Sequence, residues 1–573
     1  MKLGANDVSA VKIGATDVNK VYLGSNLVWE KAGATLLLDL YPNAAAAYSL
    51  RKLRTAYAGA SIKVRRSSDN TEQDIGFVGN ELDTASLLSF VGAGDGFVVK
   101  RYDQSGNGHD LEQTAESKQP KIVNAGALYT FNGKPYFLTD GVNDVMRTTT
   151  NPIFGTDSRS LFFVQKTNVT GVTGRFNLAA DTVLAGRAWL ITPEVAVRTV
   201  ATAWISSTPT SITSPSLISN IYTSGNLHSG NSMWLDGVSV VRTSGNDGTI
   251  DTIDSNMTEG ANSNANFYNG YISESIIYKT DQSANRAGIE SNINSNYNIY
   301  WDGSQTGLLD DYPNASAAYS LRALNSDYTG AAIKVRRSSD NTEQDIGFLY
   351  DGSLDTSSLL SFVGAGDGFV SKWYDQSGVG NNDAVQASAS AQPQIVSSGS
   401  VINENGKISV KFNGTTDYIQ NELSVGGTVT TFAVSKIVDE LDFNFIYDSF
   451  GGTGNPYQIG RVRLGCYNIG KYFADNGDGQ TANPTTLLNG LQNLFFAKHT
   501  NSNVSISVNQ DALQTRASTN FYSNTEYFVI GARNDGAEHF LEGTIQELIL
   551  YPSDQSGNRA AIETNINTHY TIY

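Results

Sequence analysis

The chain has 573 residues, 40% hydrophobic and 17% charged, with 55 glycines and 28 tyrosines against 4 methionines and one cysteine. Its 56 acidic against 39 basic residues, net −17, exclude a nucleic-acid surface, which needs clustered Lys and Arg. The lone Cys466 excludes an intrachain disulfide framework. No apolar run reaches the roughly 18 residues of a membrane span, and no apolar stretch follows Lys2 as in a secretory leader, so a soluble, cytoplasmically made protein is expected.

Residues 1–32 repeat one ten-residue phrase three times: KLGANDV from Lys2, KIGATDV from Lys12 and YLGSNLV from Tyr22. A Leu/Ile-Gly step, a polar corner and a valine predict a small β-meander. Leu3, Ile13 and Leu23 then align on one side, and Val8, Val18 and Val28 on the other. A segment this small cannot bury a core alone. These six residues therefore read as an anchoring set that needs a partner surface.

After the array, YPNAAAAYSLRKLRTAYAG from Tyr41 predicts a helix capped by Asn43, with Leu50, Leu53 and Tyr57 on one face and Gly59 as its stop. SIKVRR follows as a strand, Ile62 and Val64 on one face and Lys63 and Arg65 on the other. DTASLLSFVG predicts a short helix capped by Asp83 or Thr84. Beyond it the chain reads as short alternating strands between Gly, Asn and Asp turns, as in GKISVKFNGTTDYI (406–419), NVSISVNQDALQT (503–515) and GTIQELILYP (543–552).

The chain repeats itself on a larger scale. YPNAAAAYSLRKLRTAYAGASIKVRRSSDNTEQDIGF at 41–77 returns at 312–348, with Ile62–Phe77 identical to Ile333–Phe348. SFVGAGDGFV follows in both copies, then RYDQSGNGHD (101–110) and WYDQSGVGNND (373–383). Both copies close on related phrases ending at 300 and 573. The expected organisation is an anchoring segment 1–32 and two tandem modules, 33–301 and 302–573. The fold class is all-β in the main: two jelly-roll or laminin-G-like sandwiches, each with short helices near its start, plus the N-terminal meander.

Candidate functional residues are few. Arg66, in phase with Ile62 and Val64, is read as pointing inward to pair with Asp69 or Asp74, a structural role shared by Arg337, Asp340 and Asp345. A bidentate grip on a ligand carboxylate is the functional alternative. Asp103 and Asp375 in YDQSG read as turn residues accepting backbone hydrogen bonds; with Trp234 they are the candidates for ligand contact. Trp234, out of phase with Met233 and Leu235, equally fits packing on the other face of its sheet, and Ser507 replaces it in the second module. Calcium could be held by such oxygens, but the five histidines (109, 228, 499, 539, 569) have no metal spacing and no metal site is assigned. GAGDGF lacks the Lys-Ser/Thr of a phosphate loop, and no nucleophile elbow is present.

The phrases AYSLRKLR, IKVRRSSDN and YDQSGNGHD resemble the opening third of the fungal arabinofuranosidase-B catalytic domain, a concanavalin A/laminin-G-type sandwich. ISVKFNGTTDYI and GTIQELILY are similar to strands of laminin-G-like lectins. The first resemblance implies hydrolysis by two carboxylates, which a retaining glycosidase holds about 5–5.5 Å apart. It also implies adjacent cysteines near one acid, which a single-cysteine chain lacks. Counted without gaps, the other acid's place falls on Thr258 or Gly531, with Glu259 and Asp535 nearby. Catalytic residues are therefore not assigned and an enzyme is not expected. The opening LG-x-x-x-V phrases look like the beginnings of bacteriophage head and tail appendage proteins. They imply a virion fibre or decoration that attaches through its N-terminus to other phage proteins. Such a fibre displays two lectin-like modules to host surface glycans and is expected to be a homo-oligomer. A glycan-cleaving depolymerase of arabinofuranosidase type is the alternative.

Overall fold

The computed structural model describes residues 36–168, 215–246, 252, 256–262 and 265–438 with the gaps 226 and 381, and further segments of the second module to residue 573. Only strand segments are described within 2–30 and 176–207, and there by backbone pairing alone. The chain divides into two compact units, Met1–Ile299 and Tyr300–Tyr573.

Each unit is a mainly antiparallel two-layer β structure. In module two the first layer is built on Glu542–Tyr551, buried at every position but its first. One edge of this strand pairs with Val410–Asn413 and Ala317–Ser320, the other with Val429–Ile437, which pairs in turn with Gln492–His499. Both faces of this layer are covered, so its strands read as apolar runs rather than as alternations. One face meets the second layer in a core that includes Ile545, Leu548, Phe495, Tyr447 and Ile530. The other meets the helix Arg559–Tyr570 through Ile562, Ile566 and Tyr570, packed with Phe432, Phe496 and Ile549. The second layer contains Ile333–Arg337, Gly368–Trp373, Ile419–Asn421, Tyr527–Ile530, Asn444–Phe450, Arg463–Tyr467 and Lys471–Asp475. Module one repeats the scheme around Asn269–Tyr278 and Arg159–Thr167, with the helix Arg286–Tyr297 on the outer face.

The repeated phrase AYSLR is a lock rather than a helix. Asn43 and Asn314 take left-handed φ values of 67° and 70°, and Ala44–Ser49 and Ala317–Ser320 enter the sheet beside the long last strand. Alanine is the best intrinsic helix former, but propensity amounts to less than about 1 kcal/mol per ordinary residue, and sheet pairing overrides it here. Arg51 grips Glu274 through Nε (2.8 Å) and Nη2 (2.9 Å) and reaches Asn292, while Ser49 and Tyr297 hydroxyls donate to the same carboxylate. Arg322, Glu547, Asn565, Ser320 and Tyr570 repeat every one of these bonds. First strand, last strand and last helix are thereby tied at one point in each module. Asp83 and Asp355 cap the short helices Thr84–Val91 and Thr356–Val363.

The N-terminal phrases differ from the expected single meander. Each is its own hairpin: Leu3 pairs with Asn6, Ile13 with Thr16 and Leu23 with Asn26. Two residues, the first of them glycine, join the strands of each hairpin. Val18 pairs with Val11 inside its hairpin, and Val28 is passed over where the register shifts between Val21 and Tyr22. Val8 and the side chains of Leu3, Ile13, Leu23, Val18 and Val28 lie outside the described residues.

Candidate functional site

Asp103 sits 4% exposed at the start of its turn, its oxygens accepting from the backbone N–H groups of Ala47, Ser105 and His109 and from the Ser105 hydroxyl. Asp375 accepts from Ala318 and Ser377 in the same manner, and burial raises its pKa. These oxygens are occupied by the fold itself. Among the described residues no group of three or more His, Cys, Asp or Glu is arranged to hold a metal.

The arginine pair is distributed differently from the sequence reading. Arg66 is part-exposed and bonds Asp69 through both Nε (2.8 Å) and Nη2 (2.6 Å), its guanidinium 5.0 Å from the Phe90 ring centre. Asp69 is held well below the usual carboxylate range by Arg66 and by the Thr71 N–H. Arg337 and Asp340 repeat the pair. Asp74 and Asp345 are not partners of these arginines; they accept from Tyr102 and Tyr374. The buried arginine is Arg65, 7% exposed, bonded to Gln119 and Asn70 and lying over Phe97. The segment carrying Glu116 and Gln119 roofs that face, which strand alternation alone cannot show.

Trp234 lies half-buried with the Arg286 guanidinium 4.5 Å from its ring centre. In module two the equivalent Arg559 bonds Ser507 and lies 5.0 Å from Phe496. Trp234 pairs across the sheet with Ser219, and Ser507 with Phe496. The aromatic ring has changed strands while covering the same arginine, which marks Trp234 as packing.

Glu259 is 1% exposed and ion-paired with Arg101, with the Ser275 hydroxyl donating to it at 2.6 Å. Register makes Ile530 its counterpart, and Trp373 and Leu548 those of Arg101 and Ser275. A buried ionic trio in one module is thus an apolar trio in the other. Thr258 and Gly531 are not equivalent. Tyr268 N–H bonds Gly260 O, whereas Leu541 N–H bonds Gly531 O, so the intervening loop is longer in module two and an ungapped count slips. Asp535 lies outside the described residues.

A denser set of polar groups lies on the second layer of module two. Asp448, Arg463 and Asp475 are direct cross-strand partners on Asn444–Phe450, Arg463–Tyr467 and Lys471–Asp475, so all three share one face. Tyr447, Leu464, Tyr472 and Ala474 turn to the core on the opposite face. Arg461 bonds both Asp448 oxygens and the Ser449 carbonyl; Arg463 bonds Asp475 through Nε at 2.7 Å and Nη2 at 2.6 Å. Asp448 is 0% and Asp475 3% exposed. Burial lowers the Arg461 pKa, opposed by Asp448 and reinforced by Arg463 and Arg533. Beside this row, Phe445 and Phe473 meet edge to face over Gly465, whose position admits no side chain because a Cβ would stand 2.3 Å from the Asn444 carbonyl. Phe443, 44% exposed, stacks on Tyr467 at 5.7 Å and approaches His539 at 5.2 Å. Behind the row, His499 is bonded to Asn476 and its pKa is lowered to about 3 by burial and then by Arg463, so it is neutral.

The sequence reading missed this row because only the second copy carries it. Through the pairings of Thr258, Asn177, Leu190 and Arg198, module one holds Asn177 at Asp448's place, Leu190 at that of Arg463 and Arg198 at that of Asp475. A repeat-by-repeat search hides whatever one repeat has alone. The detectable signal was the acid and arginine cluster DSF…GRVRLG…FADN in the divergent half.

Residues 39–132 and 309–426 match the family Alpha-L-arabinofuranosidase B, catalytic, one stretch in each module. These stretches hold the Arg51 and Arg322 locks and the YDQSG turns, and they end before Asp448. Among solved structures the chain is similar to an arabinofuranosidase in complex with arabinofuranosyl-α-1,2-xylobiose (14% identity, 90% of this chain and 99% of that one, TM-score 0.36). It is also similar to domains LG4-5 of the mouse laminin α1 chain (12%, 72% and 88%, TM-score 0.24) and to the CBM40 of a Ruminococcus gnavus sialidase (16%, 25% and 83%, TM-score 0.21). No curated protein matches the chain. The match to a catalytic-domain family in both modules corrects the expectation of a non-enzymatic virion fibre and supports its glycan-cleaving alternative. The chain thus carries two β-rich modules whose opening stretches resemble the arabinofuranosidase-B catalytic domain.

Proposed function

We propose that the chain is a glycan-cleaving enzyme of arabinofuranosidase type whose chemistry resides on module two. The observation that carries this reading is the row Asp448–Arg463–Asp475, two carboxylates on one face with a single strand between them. Two interstrand spacings separate their backbones by about 9–10 Å. Carboxyl groups carried at such positions can reach the separation of about 5–9.5 Å that glycosidases use. The arginines orient both carboxylates through charge-assisted hydrogen bonds. The exposed Phe443, with Tyr467 and His539, offers the apolar face of a sugar ring a surface beside the row.

The test is release of 4-nitrophenol from 4-nitrophenyl α-L-arabinofuranoside, and of arabinose from arabinoxylan, by the full chain and its Asp448→Asn and Asp475→Asn forms. Turnover by the wild type and a loss of at least a hundredfold in either variant, with each variant still folded at the assay temperature by circular dichroism, is the expected result. Absence of wild-type turnover on both substrates overturns the reading, as does a variant of full activity.

A further inference from the structure

Module one carries a cluster of aromatic side chains that module two lacks. Tyr129 and Tyr136 stack with ring centres 5.6 Å apart and planes 8° from parallel. Tyr136 also meets Tyr271 at 4.2 Å and Phe131 at 5.4 Å. Tyr271 lies on the long strand Asn269–Tyr278 between Leu138 and Lys166, and the Lys166 ammonium stands 5.6 Å from its ring centre. Tyr136 is buried, whereas Tyr129 and Tyr271 remain half-exposed on the outer side of the cluster. Lys121 lies close to Tyr129, on the strand next to Leu138.

Module two has the same backbone here and none of the rings. Tyr129 N–H bonds Ile122 O and Tyr136 N–H bonds Tyr129 O; Ile402 and Ser409 make the identical bonds to Ile395 and Ile402. Register sets Thr544 in the place of Tyr271 and Glu404 in that of Phe131. Lys436, the counterpart of Lys166, is then paired with Glu404 at 3.2 Å instead of lying over a ring. Four aromatic positions have been exchanged together for Ile, Glu, Ser and Thr without any change in strand pairing. The strand pairing shared by the two modules is kept without the cluster, so that pairing does not account for the rings. Tyrosine suits a sugar: an apolar ring for the C–H face and a hydroxyl for its oxygens, at little entropic cost.

We propose that Tyr129, Tyr136 and Tyr271, with Lys166 alongside, form a glycan-holding platform on module one, separate from the carboxylate row of module two. The site takes neutral sugar rings of a polysaccharide chain by stacking. It rests on the glycan-directed function proposed above but on none of that site's residues. The experiment measures retardation of the full chain in native gels containing arabinoxylan. The Asp448→Asn form is used so that the polymer persists. The informative variant is Tyr129→Ile/Tyr136→Ser/Tyr271→Thr, which installs the residues that module two already accommodates. At least a tenfold weaker retardation, with turnover of 4-nitrophenyl α-L-arabinofuranoside by the same triple variant in the Asp448 background unchanged, is expected. The reciprocal exchange, Ile402→Tyr/Ser409→Tyr/Thr544→Tyr, should strengthen retardation. If the first triple variant melts lower than its parent, Tyr271→Phe and Tyr129→Phe replace it, and retardation should fall two- to fivefold on loss of the hydroxyls. Unchanged retardation in the folded variants overturns the platform, as does absence of retardation by the parent. Loss of turnover with retained retardation would instead assign the tyrosines to the chemical site. The hydrolysis proposal fails separately, by absence of turnover, whatever the gels show.

Discussion

Arg65 and Arg66 are neighbours on one strand, and their different surroundings decide what each contributes. Arg66 shares its charge with Asp69 in water, where screening leaves such pairs little net worth. Arg65 is roofed and fills the hydrogen-bonding needs of Gln119 and Asn70. Arg66→Ala should therefore leave the urea midpoint nearly unmoved, while Arg65→Ala lowers module-one stability by about 1–3 kcal/mol through the buried acceptor it abandons. A residue-scale pH effect accompanies Asp144, whose carboxyl is raised to about 7 by burial and then by Asp140. Asp417, where Asn413 replaces that neighbouring acid, is raised only to about 6. A raised carboxyl binds its proton more tightly folded than unfolded. Its stabilising contribution is complete below the unfolded pKa near 4 and is lost as pH rises through about 7. Melting of the wild type should fall between pH 5 and pH 8, and Asp144→Asn should flatten that dependence; an equal slope in the variant excludes Asp144 as its source.

At the scale of elements, the exchange of Arg101–Glu259–Ser275 for Trp373–Ile530–Leu548 is a substitution series already performed by duplication. Glu259→Ile alone leaves a guanidinium buried without its carboxylate, at a cost of about 3–5 kcal/mol. Arg101→Trp/Glu259→Ile/Ser275→Leu together should be neutral or stabilising, since an apolar trio of similar shape avoids desolvating two charges. Chemical denaturation of the three forms checks the sign of both effects. The Arg51–Glu274 and Arg322–Glu547 locks differ in kind, because both modules keep them and each joins three elements that are distant in sequence. The same elements explain why AYSLR is a strand: its serine and arginine must reach the last strand and last helix, and extended backbone delivers them there.

At the scale of the molecule, the two units have separate cores with no residue in common. Thermal unfolding should show two transitions, and Glu259→Ile should lower one of them while the other stays in place. A single transition that shifts as a whole would show that the units unfold together. The two sites proposed for the modules lie largely in the half of each repeat that diverged. The matched stretches 39–132 and 309–426 carry scaffold, whereas the carboxylate row of module two lies beyond them, and the tyrosine platform reaches past them to Tyr136 and Tyr271.

The duplication, the β-rich class, a capped short helix at Asp83 or Thr84 and the YDQSG turns follow from the sequence by itself, because each rests on local pattern or exact repetition. The strand at Ala44–Ser49 does not, since its pairing partner lies more than two hundred residues away. Neither does the exchange of roles between Arg65 and Arg66, which a roof from residues 116–119 imposes. Asp448, Arg463 and Asp475 lie 15 and 12 residues apart in sequence and become neighbours only through strand register. Tyr129 and Tyr271 come together in the same way, through the pairing of Leu138 with the last strand. Local pattern fixes what each segment can become; which side chains face one another is decided by non-local pairing, whose energy no single segment contains.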